Sequence, residues 1–235
     1  MTPEKHSSIV HYFSAIALLA ILGLFLGSPC AAENISGVDF DVVYRPTTLP
    51  EKSVPPWKRV GSVQRELIAV DGQPALQMAS EPAGTGYYEM SDLAPGGEPD
   101  FSESGKGLTV ECMLRVDGQE GNGGVAAIRM SDKTGLFLLQ CDKDGIWPYK
   151  RPQQKVPLPL GEEFQKIRIV IQPGSDVATV YVNDNPSEVL SISRHRNDSE
   201  RTHVAWGDFG GSMGGQASWQ YFAFTNHGAF SPSKQ

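Results

Sequence analysis

Leu108-Thr109-Val110-Glu111-Cys112-Met113-Leu114-Arg115-Val116 is the stretch that decides the fold. Its apolar residues recur at every second position, and side chains of an extended chain alternate between faces with that period. Leu108, Val110, Cys112, Leu114 and Val116 therefore share one face, and Thr109, Glu111, Met113 and Arg115 share the other. A half-buried strand of a two-layer β structure reads this way.

The surroundings repeat the pattern. Downstream, strands are expected over 125–130 and 136–141, joined by a turn at Ser131-Asp132-Lys133-Thr134-Gly135, and again at Ile146-Trp147 after the Asp144-Gly145 turn. More follow over 167–171, 177–182, 188–192, 203–206 and 218–225. Upstream they fall over 38–44, 66–70, 75–78 and 86–90, with a hairpin signal at Asp71-Gly72 because that pair tolerates positive φ. The 93–107 segment reads as a loop, and proline-rich 151–159 as a loop or extended edge. In the last strand Trp219 and Tyr221 alternate with Phe222 and Phe224, so both faces are apolar and the strand is expected to be central. About a dozen short strands around one core imply an all-β, two-sheet antiparallel jelly-roll sandwich.

Composition agrees. The 235 residues are 40% hydrophobic and 20% charged, with 25 Gly and 17 Pro, which suits a core with many turns and not a disordered chain. A net charge of −7 with no basic block argues against nucleic acid or an anionic membrane surface as partner. No repeat and no second domain is visible over 33–235. The sequence has no Cys-x-x-Cys spacing, no spaced histidine pair and no nucleophile elbow, and His195 reads as part of a solvated loop. Cys112 and Cys141 either pair in an oxidising compartment or stay as buried thiols on neighbouring strands.

The first 32 residues are expected to be a signal peptide. Lys5 precedes an apolar stretch over 12–26, Gly27-Ser28-Pro29 breaks it, and Cys30-Ala31-Ala32 offers small residues for cleavage after Ala32. Two alternatives stay open: a lipid on Cys30, or an uncleaved anchor, since counting from Ile9 the stretch approaches the roughly 20 residues that span a bilayer. All three place the rest of the chain outside the cytoplasm; the lipid aside, a membrane is reached only through an uncleaved N-terminal segment.

Three pieces carry a family likeness: Gly107-Leu108-Thr109-Val110-Glu111, Ala178-Thr179-Val180-Tyr181-Val182-Asn183-Asp184, and Trp206-Gly207-Asp208 followed by Trp219-Gln220-Tyr221-Phe222 and Gly228-Ala229-Phe230. With them the chain from about Val38 onward resembles the concanavalin A-like lectin/glucanase superfamily, in its laminin G-like jelly-roll form. The sequence departs from it in having Gln220 where an acidic residue is frequent, and Asp184 where an Asn-Gly turn is usual. The resemblance implies frequent carbohydrate binding, sometimes glycoside hydrolysis, and often only adhesion. It also implies that calcium is common, for which Asp208, Asp142 and Asp144 are the candidate carboxylates; ordinary turn aspartates read the same.

Hydrolysis needs two converging carboxylates. The acid-x-acid-x-x-acid spacing occurs once, at Glu98-Pro99-Asp100-Phe101-Ser102-Glu103, but Pro99 and its Gly and Ser neighbours make that a solvated loop. Sugar binding needs flat aromatic rings and a few orienting polar groups. The candidates are Trp147, Tyr149 and Trp206 as walls, with Glu111, Arg115, Arg129 and Gln140 as a polar floor on the solvent face of the inner sheet. The bland alternative puts the tryptophans in the core and the charges in cross-strand pairs. The expected function is therefore an exported, non-catalytic binder of a polysaccharide or surface glycan. A glycoside hydrolase or lyase is the first alternative, and an adhesive protein without a small ligand the second.

Overall fold

The computed structural model describes residues 33–91, 106–120, 123–132, 134–195, 202–210 and 214–233. The expected signal peptide and the acidic run 98–103 lie outside them.

The deciding stretch forms β8 (Leu108–Gln119), flanked by β13 (Gln165–Ile171) and β17 (Gly215–Thr225). Beyond β13 come β14 (Val177–Val182) and β15 (Leu190–Ser193); beyond β17 come β6 (Gln73–Ser80) and β5 (Gln64–Val70). The C-terminal half of β17 also pairs with β3 (Val42–Tyr44), which completes the eight strands of sheet I. Sheet II has seven strands in the order β12 (Val156–Pro157), β11 (Gly145–Pro148), β10 (Gly135–Asp142), β9 (Ala126–Asp132), β16 (His203–Asp208), β7 (Gly86–Ser91) and β4 (Lys58–Gly61). Neighbours in both sheets run antiparallel, so the protein is an all-β sandwich of the expected jelly-roll type.

The alternation of β8 is realised. Leu108, Val110, Cys112, Leu114 and Val116 join one core with Ile128, Met130, Phe137, Leu139 and Cys141 of sheet II. At one end the core is aromatic: the Trp206 ring stacks on Phe222 at 5.2 Å and 13°, and Trp57 meets Phe222 and Phe224 edge-on at 5.5 and 5.9 Å. Such rings bring the largest apolar areas into a core and fix its geometry. Cys112 and Cys141 are both free and buried, and they sit on the two opposed sheets, not on neighbouring strands.

Two local departures from the sequence pattern matter. The expected first strand over 38–44 is divided at Asp41, whose carboxylate accepts from the Thr225 hydroxyl at 2.6 Å and the Asn226 amide at 3.3 Å. Its halves are β2 (Val38–Phe40), paired with β1 (Glu33–Ile35), and β3. In β17 the register shifts between Trp219 and Tyr221. An extra residue in one strand turns the following side chains over. Trp219, Phe222 and Phe224 thus all enter the main core, while Tyr221 and Ala223 face outward beneath the β1–β2 hairpin with Val38 and Phe40. Strict alternation would have kept Trp219 and Tyr221 together.

Candidate functional site

Strand pairing sets which side chains stand together on the outer face of sheet II. One row crosses the sheet as Val60, Tyr87, Gly207, Ala127, Gln140 and Trp147, each directly paired with the next. The adjacent row runs Lys58, Glu89, Ala205, Arg129 and Leu138, and ends at Tyr149, whose amide donates to the Leu138 carbonyl at 2.9 Å. Directly opposed side chains are the nearest neighbours on a sheet face. The middle of the first row carries only Gly207 and Ala127, while its flanks carry large side chains. A hollow lies over Ala127.

The hollow is a cavity of about 340 Å³. Ala127, Leu138 and Gln140 floor it, Tyr87 and Phe209 wall one side, and Tyr149 the other. The Tyr87 and Phe209 rings stack at 4.5 Å, and Tyr149 meets the His195 ring edge-on at 5.8 Å. Its polar groups are Arg129, Gln140, Thr85 and Asp208. Asp208 is the one carboxylate among the described lining residues. Burial raises its carboxyl above the ordinary range, opposed by hydrogen bonds from the Ser80 hydroxyl and the Gly210 amide. A second cavity of about 400 Å³ lies beside the first, lined by Trp147, Lys155, Asp142, Lys143 and Asp144 among others.

The expected site residues divide into three groups. Arg129, Gln140 and Tyr149 line the first cavity together. Trp147 borders it only through Gln140: its ring is 5% exposed, Lys155 stands over it at 5.3 Å, and its indole N–H donates to Gln140 Oε1 at 3.1 Å. It holds Gln140, and it lines the second cavity and not the first.

The other three are corrected. Trp206 faces inward from β16 and is 0% exposed among the core aromatics, because the register puts Gly207 on the outer face. Glu111 and Arg115 belong to the outer face of sheet I, so the whole core separates them from Arg129 and Gln140. Glu111 is 0% exposed and bound by Arg168 Nε at 2.6 Å and the Tyr221 hydroxyl at 2.7 Å. Arg115 pairs with Asp117 at 2.5 Å and lies over Phe164. These are structural contacts of sheet I. His195 also differs from expectation: its backbone bridges to Leu136 and its ring supports Tyr149.

The sequence reading missed Tyr87 and Phe209. Tyr87-Tyr88 gave the signal, since adjacent strand residues face opposite ways and Tyr88 is in the core. Among the described residues, no group of three His, Cys, Asp or Glu side chains is placed to hold a metal. Asp142 is paired with Lys155 at 2.6 Å. No helix among the described residues is long and apolar enough to cross a membrane.

No protein-family model and no curated protein matches the sequence. Solved structures similar to the chain include the binding domain of botulinum neurotoxin DC in complex with rat synaptotagmin II, at 7% identity and TM-score 0.45, covering 86% of this chain and 48% of that one. A Mycobacterium abscessus protein proposed to be a beta-glucanase has 11% identity and TM-score 0.45, with 79% and 100% covered. Trypanosoma rangeli sialidase in complex with 2,3-difluorosialic acid has 10% identity and TM-score 0.45, with 72% and 28% covered. The chain spans about half of the toxin chain and less of the sialidase. Likenesses at this level bear on nothing beyond the β-sandwich class.

Proposed function

We propose that this chain is an exported carbohydrate-binding module whose ligand lies in the cavity on the outer face of sheet II. One observation carries the reading: the cavity lies between the Tyr87–Phe209 pair and Tyr149, over a lining that holds Ala127, Gln140 and Arg129. Pyranose rings have apolar faces that pack on aromatic rings and hydroxyls that need orienting partners. A volume of about 340 Å³ falls in the range of ordinary small-ligand sites. Binding without catalysis is the reading because hydrolysis by the usual two-carboxylate route requires a second acid beside the first.

A glycan array probed with the chain from Glu33, with and without calcium, tests this. The expected result is a reproducible hit that Tyr87→Ala abolishes while the melting curve is kept. Binding that Tyr87→Ala leaves intact would place the ligand elsewhere. Release of shortened product from the bound glycan would make the protein a hydrolase or lyase instead.

A further inference from the structure

We infer that Gln140 is the specificity-determining residue of this cavity, fixed by Trp147 as a hydrogen-bond donor, and that the sugar it receives carries a carboxylate. The inference rests on the carbohydrate reading above and narrows it to acidic glycans.

The two ends of a glutamine amide have nearly the same shape, and only the surrounding hydrogen bonds decide which is which. Here they decide. The Trp147 indole N–H is a donor only, and it lies 3.1 Å from Gln140 Oε1. Reversing the amide would set its NH2 against that N–H, losing the bond and opposing two donors. The indole itself is held: it is buried, and Lys155 covers its ring while reaching Asp142 at 2.6 Å. The Nε2 end is therefore directed away from Trp147. It lies on the Gly124 side, where a Cβ would come within 3.3 Å of it, and Gly124 lines the cavity.

Gln140 thus offers donors to whatever occupies the floor. Arg129, from the neighbouring strand and the adjacent row, lines the same cavity and is also donor-only. A hydroxyl needs both a donor and an acceptor to be fully satisfied. A carboxylate is acceptor-only, and charge-assisted bonds to it are the stronger kind. Asp208, the lining carboxylate, is engaged by Ser80 and the Gly210 amide, outside the Gln140–Trp147 row.

The test compares tetragalacturonate with the neutral galactose tetramer by calorimetry at low salt, on wild type, Q140E and W147F. Wild type is expected to favour the uronate by about tenfold. Q140E sets a carboxylate against the ligand's own and should abolish uronate binding. W147F keeps an aromatic ring but deletes the N–H with the five-membered ring of the indole, and should shrink the preference several-fold in a protein that still unfolds cooperatively at a lower midpoint. A 1H–15N spectrum supplies a readout without ligand: the Trp147 indole signal should persist near its place in Q140E, which still accepts, and move in Q140L. Equal or better binding of the neutral tetramer, or a Q140E profile like wild type, overturns this inference and leaves the carbohydrate reading standing. Absence of binding to either tetramer overturns the acidic-sugar assignment, and the wider array then decides the carbohydrate reading separately. An indole signal indifferent to Q140L refutes the positioning role of Trp147.

Discussion

Replacing Arg168 by Met tests what fastens the β1–β2 hairpin over sheet I. In the native chain Glu111 is 0% exposed and Arg168 3% exposed. Glu111 accepts from Arg168 Nε at 2.6 Å, from the Tyr221 hydroxyl at 2.7 Å and from the Ser36 hydroxyl at 3.3 Å. Met keeps much of the side-chain bulk but removes the charge, which leaves a buried carboxylate with hydroxyl donors and no guanidinium against it. Removing one partner of such a pair costs about 3–5 kcal/mol. With a urea slope of about 2–3 kcal/mol/M, the unfolding midpoint should fall by about 1–2.5 M.

The second arm isolates the charge. Glu111→Leu with Arg168→Met removes both ions, and replacing a buried pair by apolar groups is often neutral or stabilising. What remains is the Tyr221 hydroxyl without its acceptor, at about 1–3 kcal/mol, and adding Tyr221→Phe should remove that residue of loss. Urea denaturation followed by tryptophan fluorescence measures all three variants. The reasoning fails if Arg168→Met moves the midpoint by less than about 0.3 M, or if the double variant is no more stable than the single.

Three further outcomes are expected. Ala127→Leu crowds the cavity floor, so glycan binding should be lost while urea stability falls by about 1–3 kcal/mol; a bound glycan in this folded variant would move the site off the cavity. Cys112 and Cys141 are free, buried thiols whose pKa burial drives up, so a thiol reagent at neutral pH should label neither in the native protein and both on unfolding without reductant; zero labelling on unfolding would mean they are joined. Stability should fall at alkaline pH, because burial raises Tyr44, Tyr221 and both thiols and pushes Tyr88 up to about 12. A proton held more tightly in the folded state contributes fully below the unfolded pKa, about 8.5 for thiols and 10 for phenols, and is lost as pH rises beyond it. Urea midpoints should therefore be level from about pH 6.5 to 8 and decline above about 9, and a rising midpoint there would contradict the burial of these groups.

How much of this was legible in the sequence depended on range. The fold was, because period-2 alternation and turn residues act locally: Leu108 to Val116 face as their spacing says. The part that failed locally was β17, where a bulge between Trp219 and Tyr221 reverses the faces and no residue type announces it. The site was only half legible. Arg129, Gln140 and Tyr149, which line one cavity, could be grouped because polar and aromatic residues on a strand's outer face invite the question. Glu111, Arg115 and Trp206 were wrongly joined to them, since an alternation pattern gives the face of a sheet but not which sheet it belongs to. That information sits in the pairing order, which brings β9 and β10 beside β16 and keeps β8 between β13 and β17.

The deepest reason the site was hard to read is that it is made by what is small. Gly207 is small for a backbone reason: at φ +131° a Cβ would lie 2.8 Å from the Gly86 carbonyl oxygen and from Tyr87 Cα, so the closeness of β16 and β7 forbids one. Ala127, 5% exposed, lines the cavity beside it. On sheet I the hairpin covers Tyr221 and Ala223 of the outer face, and Glu111 and Arg168 there are paired with one another. Sheet II instead keeps an alanine beside an obligatory glycine, aromatic rings on either side, and an amide whose orientation a buried indole enforces. Backbone closeness alone accounts for the glycine, and the proposed glycan site rests on the aromatic pair, Tyr149 and the oriented amide.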